Sequence, residues 1–162
     1  MKPSIRRIFI CETPGGSMQS LERIKIISDV GLEGDNTAIW PEVLKSPLHY
    51  VSFIEQEIIN ALCNEGVPFT MELVQCNIIT EHIRLDSLVG KLFRISESGR
   101  APILYGRQLC NLHDRVVQLS GGPIKNPELR NALQNGTSLL ATILSGGIIS
   151  TGELVWTGSI RL

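Results

Sequence analysis

No apolar run in this sequence approaches the ~20 residues that a membrane-spanning helix needs. The basic start, Met1 to Arg7, is followed only by Ile8-Phe9-Ile10, short of the about 7–15 residues of a secretory signal core. A cytoplasmic protein that uses no membrane is therefore expected. Net charge is also lacking: 15 Lys and Arg nearly cancel 16 Asp and Glu, leaving -1. A duplex nucleic-acid binder needs a strong positive field to neutralise phosphates, so no nucleic-acid partner is expected. The four cysteines, Cys11, Cys63, Cys76 and Cys110, stand singly, without a CxxC pair or a His pair at zinc spacing. No zinc site is expected on that pattern, and each thiol is by default a small buried hydrophobe.

What is present is enough to fold. The 162 residues are 43% apolar, and no repeat, low-complexity stretch or linker divides them, so one domain over residues 1–162 is expected. Short β-branched and apolar runs at Ile5–Ile10, Ile24–Ile27, Leu73–Thr80, Lys91–Ile95, Ile103–Tyr105, Leu139–Leu144, Leu154–Trp156 and Ser159–Leu162 read as strands, the first two separated by the turn Pro14-Gly15-Gly16. Two segments read as helices. Ser52 and Glu55 have capping-box spacing, with Ile54, Ile58, Ala61 and Leu62 on one face and Gly66 as the stop. Asn126-Pro127-Glu128 supplies a cap, a proline at the first helical position and an early acid, ahead of Leu129, Ala132 and Leu133. Strands this short must bury a face and hide their edges. The expected fold is mainly β with a few helices, an α+β curled or barrel-like sheet with two covering helices.

Three segments carry the residues best suited to chemistry. Val30-Gly31-Leu32-Glu33-Gly34-Asp35-Asn36 places two glycines around an acid, which favours a positive-φ turn, either a plain structural turn or one that brings backbone amides near a ligand. In Leu73–Thr80 the polar Gln75, Cys76 and Asn77 interrupt an apolar run, either as a bulge or with Asn77 offering an amide to a ligand. Around Cys110 stand Arg107, His113 and Arg115, any of which lowers a thiol pKa if it lies against the sulfur. A Cys110, His113, Asp114 hydrolytic set can be drawn too, although such partners normally converge from separate segments. His49 and His82 stand alone and read as loop or packing residues.

Taken in order, these segments resemble the MOSC family, the domain named for the C-terminal region of molybdenum cofactor sulfurase. Gly31-Leu32-Glu33-Gly34-Asp35 is similar to its GxxGD signature, and Val51–Glu57 to the segment and helix that follow. Asn77–Thr80 with Leu85–Ile95 resembles its central core, Cys110 falls where the family has its functional cysteine, and Gly146–Val155 resembles its closing turn. The resemblance implies a MOSC-type barrel that carries sulfur as a persulfide, or that binds the molybdenum cofactor (molybdopterin) and reduces N-hydroxylated compounds. Cys110 would be the catalytic residue and the metal ligand. Gly34, Asp35, Asn36, Asn77 and Arg107 would line the cofactor site. It also implies partners: a cysteine desulfurase, that is, a pyridoxal-phosphate enzyme as sulfur source, or an electron-donor protein; a homodimer is compatible with an open strand edge.

The chain departs from the family where anions are held. Asn36 follows the Gly-Asp where relatives commonly have Arg, and Gln75-Cys76 replaces an Arg-Arg pair; Leu109 replaces the frequent Pro before the cysteine, and Glu153 the closing Asp. Desolvated charge-assisted contacts contribute roughly 1.5–3 kcal/mol each, so such losses weaken phosphate affinity. Two readings follow. One is a cofactor- or sulfur-handling protein acting through Cys110; the other is a non-catalytic ligand- or partner-binding module on the same fold.

Overall fold

The structure, a computed structural model, describes residues 1–13, 16–35, 50–67, 70–71, 75–96, 100–158 and 160. Its strands are β1 Ser4–Ile10, β2 Gln19–Leu21, β3 Arg23–Ile27, β4 Gly31–Leu32, β5 Tyr50–Glu55, β6 Ile78–Glu81, β7 Leu92–Ile95, β8 Ile103–Cys110, β9 Ser138–Ser145, β10 Gly147–Ser150 and β11 Val155–Trp156. The helices are α1 Gln56–Asn64, α2 His113–Ser120 and α3 Pro127–Asn135, with a 3-10 turn at Leu85–Leu88. Eight strands form one sheet in the order β11-β7-β8-β9-β5-β6-β1-β2, and β10-β3-β4 form a second. Neighbours are antiparallel except β5 and β6, which run parallel and so need the crossover that α1 begins. The fold is mostly β, a curled half-barrel with three helices among the described elements.

Each face of the curled sheet has its own core. On one, Phe53, Phe93, Leu104, Leu139 and Ile143 pack with Ile24, Ile26 and Ile149 of the small sheet. The Phe53 and Phe93 rings meet edge to face, with centroids 5.7 Å apart. On the other, Phe9, Ile54 and Ile79 are covered by Ile59 and Leu62 of α1, Val116 of α2, and Leu129 and Leu133 of α3. Full burial of one such side chain contributes about 1.5–3 kcal/mol, which is why central strands β5 and β9 are apolar on both sides and lack simple alternation.

Several elements differ from the sequence expectation, each for a visible reason. Ser52 and Glu55 do not cap a helix: both lie in β5, where the Ser52 hydroxyl donates to Asn77 Oδ1 at 2.9 Å and Glu55 Oε1 accepts from the Leu85 amide at 2.8 Å. α1 therefore starts one turn later, and Ile54 belongs to the strand. The run ending at Thr80 is extended only from Ile78, because Gln75 has φ 51 and turns the chain; Leu73 and Val74 lie outside the described residues. Helix α2 is unannounced by its sequence, its apolar positions being outnumbered by polar ones, and among the described elements it joins α1 and α3 in covering the sheet. The cap of α3 is as expected, with Asn126 Oδ1 accepting from the amides of Glu128 at 2.9 Å and Leu129 at 3.2 Å. His82, at φ 60, is an exposed turn residue. Of the expected Ser159–Leu162 strand only Ile160 is described, and it lies in no strand; the Pro14-Gly15 part of the early turn and His49 fall outside the described residues.

Candidate functional site

The glycine-acid turn and the Asn77 segment, distant in sequence, meet beside the end of β1. Gly31 and Gly34 take φ 117 and 80, a left-handed backbone that L side chains rarely adopt, so the chain reverses and presents Asp35. Asp35 Oδ1 accepts from the Cys11 amide at 2.7 Å, and its Oδ2 accepts from Asn77 Nδ2 at 3.1 Å. Asn77 Nδ2 also donates to the Phe9 carbonyl at 3.3 Å. The other end of the side chain, Oδ1, accepts from the Ser52 amide at 3.3 Å and from its hydroxyl at 2.9 Å. Asn77 is thus buried with its amide hydrogens directed at protein acceptors, and it ties β1, β5 and the Asp35 turn together.

Two thiols lie on the helix-covered face nearby. Cys110 ends β8 opposite Ser138 of β9, and directly opposed residues on antiparallel strands project to the same side. Cys76 Sγ lies 3.2 Å from Ser138 Oγ, so Ser138 stands between the two cysteines. Each sulfur feels its surroundings differently. Burial pushes the Cys76 thiol up to about 11, opposed by hydrogen bonds with Ser138 and Ser52, while the Cys110 charge raises it further and the Arg115 guanidinium lowers it. Cys110 is half-buried; desolvation raises its pKa too, and a hydrogen bond with the Gln108 side chain works the other way. The sulfurs rest as thiols at neutral pH, and it is Cys76 that feels the Arg115 charge.

The other expected site residues are distributed as follows. Arg107 sits at a β8 bulge, where its Nε donates to Thr142 Oγ1 at 2.7 Å and its guanidinium lies 5.0 Å from the Tyr105 ring centre. Gly34 is exposed at the turn, and Asn36 lies outside the described residues. His113 Nδ1 is 3.0 Å from Asp114 Oδ1, a carboxylate 98% exposed, and its amide donates to Asn111 Oδ1. No hydrogen bond joins His113 to Cys110, so the hydrolytic set is not assembled. No group of three His, Cys, Asp or Glu able to hold a metal occurs among the described residues. Sequence reasoning singled out neither Ser138 nor Cys76 as a partner of Cys110. The signal for Cys76 was its place in the family's arginine position.

A thiolate suits a thiophilic metal, so Cys110 has the donor chemistry the molybdenum cofactor needs. Asp35 and Asn77 do not fit that group as donors to an anion. A pterin phosphate needs donors, whereas Asn77 gives its amide hydrogens to Phe9 and Asp35, and Asp35 is itself an anion. Among the described residues, Asp35 and Asn77 form an internal brace rather than a phosphate cradle.

No protein-family model and no curated protein sequence matches the chain. Solved structures do. The YUAD protein from Bacillus subtilis aligns over 96% of this chain and 94% of its own at 18% identity, with a TM-score of 0.63. YiiM from Geobacillus stearothermophilus aligns over 97% of this chain and 75% of its own at 11% identity and a TM-score of 0.59. YiiM from Escherichia coli aligns over 99% and 71% at 14% identity, also with a TM-score of 0.59. Likeness at this level of identity is one of fold: the chain shares the architecture of YiiM, a MOSC-domain protein.

Proposed function

We propose that the chain is a sulfur-handling protein on a MOSC-type fold, with Cys110 as the residue that holds the sulfur. The observation that carries this is the setting of Cys110: a half-buried thiol at a strand end, hydrogen-bonded with Gln108, opposite Ser138, with the second thiol, Cys76, on that serine's hydroxyl. In the step envisaged, the Cys110 thiolate attacks the outer sulfur of a donor persulfide. A new S–S bond forms at Cys110, the donor's S–S bond breaks, and the donor leaves as a thiolate that takes up a proton. A cysteine desulfurase carrying a persulfide, itself a pyridoxal-phosphate enzyme, is a donor of the right chemistry. Handling of the molybdenum cofactor or reduction of N-hydroxylated compounds is the finer reading that the family resemblance implies, and the Asp35–Asn77 brace argues against phosphate anchoring at those residues.

The alternative, a non-catalytic binding module, is favoured by one observation: burial raises both thiols instead of activating them. Incubation with inorganic polysulfide, followed by mass spectrometry and cyanolysis, separates the two. Because Cys63 is exposed, the test uses a Cys63→Ser background. One extra sulfur on Cys110 that vanishes in Cys110→Ser supports the carrier; an unmodified Cys110 supports the module.

A further inference from the structure

On the helix-covered face a cavity of about 360 Å³ opens over β1 and β6. Strand register sets its floor. Arg7 of β1 is directly opposed to Ile79 of the antiparallel β6, so the two side chains project to the same side. Phe9, two residues beyond Arg7 on the same strand, faces that way too. Ile59 of α1, Met18 ahead of β2 and Met71 after α1 complete the apolar walls, and both methionines are partly buried against the core that holds Phe9, Ile59 and Ile79. Gln56 and Thr70 are the polar residues beside Arg7, and neither Cys76 nor Cys110 lines the cavity.

The charge in this lining has one sign. Arg7 is its single charged side chain, and no acid stands among the lining residues. The adjacent Arg6 lies 3.8 Å from Glu81, whereas Arg7 enters no ion pair among the described residues. A guanidinium is a planar fork that matches a carboxylate with two parallel hydrogen bonds. Gln56 adds a donor of the same kind: its amide nitrogen donates to Asn60 Oδ1 at 2.9 Å and carries a second hydrogen. The apolar floor selects against a polyanion, since each further charge brought against Phe9 and Ile79 would lose water without gaining a partner. Methionine walls adapt to the shape of an apolar tail. Size sets the remaining limit. An engineered cavity near 150 Å³ holds benzene, with about six heavy atoms, so one of about 360 Å³ takes about eight to twelve.

We propose that this cavity is a binding site for a small apolar monocarboxylate, with the carboxylate on the Arg7 fork and the Gln56 amide and the tail against Phe9, Ile59, Ile79 and the two methionines. One negative charge answers one cation, and the tail displaces water from an apolar floor. The site stands on residues that the sulfur chemistry of Cys110 does not use, so the two proposals succeed or fail separately.

The test is calorimetric titration of the full chain at neutral pH with hexanoate. 1-Hexanol and n-hexylammonium keep the tail but remove or reverse the charge, and acetate keeps the charge without the tail. Saturable one-to-one binding of hexanoate is expected in the micromolar to millimolar range open to a ligand of so few atoms, with each of the other probes at least about tenfold weaker. Arg7→Gln should weaken hexanoate about tenfold, and Arg7→Lys, which restores the charge without the fork, should recover part of the loss. Arg7 is exposed, so its replacement spares the fold, which circular dichroism confirms. Arg6→Gln makes the same change in net charge one residue away and should leave hexanoate binding unchanged. Absence of saturable hexanoate binding to the wild type, equal binding of acetate or 1-hexanol, or equal effects of Arg6→Gln and Arg7→Gln overturns the proposal.

Discussion

Replacing Asn77 by alanine tests whether the Asp35–Asn77–Ser52 cluster is a brace or a ligand platform. The side chain makes four hydrogen bonds: two accepted from Ser52, one donated to the Phe9 carbonyl and one to the Asp35 carboxylate. Neutral bonds contribute about 0.5–1.5 kcal/mol each and one to a charged group about 1.5–3 kcal/mol. Because all four share one side chain they do not simply add, and a total loss of about 3–5 kcal/mol is expected. For a chain of this length each kcal/mol moves the melting temperature by roughly 2–4 °C, so the variant should melt about 10 °C or more below the wild type by scanning calorimetry. Asn77→Asp should be destabilised as well, and more at neutral pH than in mild acid, since it sets a second carboxylate against Asp35. An Asn77→Ala protein that melts within about 2 °C of the wild type, a loss under about 1 kcal/mol, would refute the brace.

Other positions make independent predictions. A Cβ at Gly106 would collide with the Leu88 carbonyl oxygen, and Gly106 shares backbone bonds with Gly90 and Lys91; Gly106→Ala should lower stability by about 3 kcal/mol or more in urea unfolding, because backbone has to move. Burial raises the Glu55 pKa above 4.5, so its folded state holds the proton more tightly than the unfolded chain. The stability this contributes is present below that value and lost as pH rises through the raised one. The stability of Glu55→Gln relative to wild type should therefore increase from about pH 4 to pH 7, and a flat or falling difference contradicts the assignment. With Ellman's reagent, exposed Cys63 should react at once and half-buried Cys110 more slowly, while buried Cys11 and Cys76 should react only on unfolding. Fast labelling of Cys76 in the native protein would contradict its placement.

Strand segments were legible wherever apolar residues sat between turn formers, and the α3 start was legible because Asn126-Pro127-Glu128 is a local signal. Ser52 and Glu55 show the limit of such reasoning: their capping spacing is local, but their partners, Asn77 and Leu85, come from elsewhere in the chain and draw them into a strand. The proximity of Cys110 to Cys76 was hidden for the same reason, since Ser138, on a third segment, brings them together. The Gly31–Asp35 turn did show its positive-φ geometry in its glycines. Its hydrogen bond to Asn77 is a product of tertiary structure, and it converts two residues expected to face a ligand into a support for the strands.

The most direct test of the central claim is the mass of the Cys110-bearing peptide after the Cys63→Ser protein is mixed with a persulfide-loaded cysteine desulfurase. The account predicts one added sulfur on Cys110, removed by cyanide with release of thiocyanate and absent from Cys110→Ser. An unmodified Cys110 peptide, with the desulfurase persulfide intact, would contradict it.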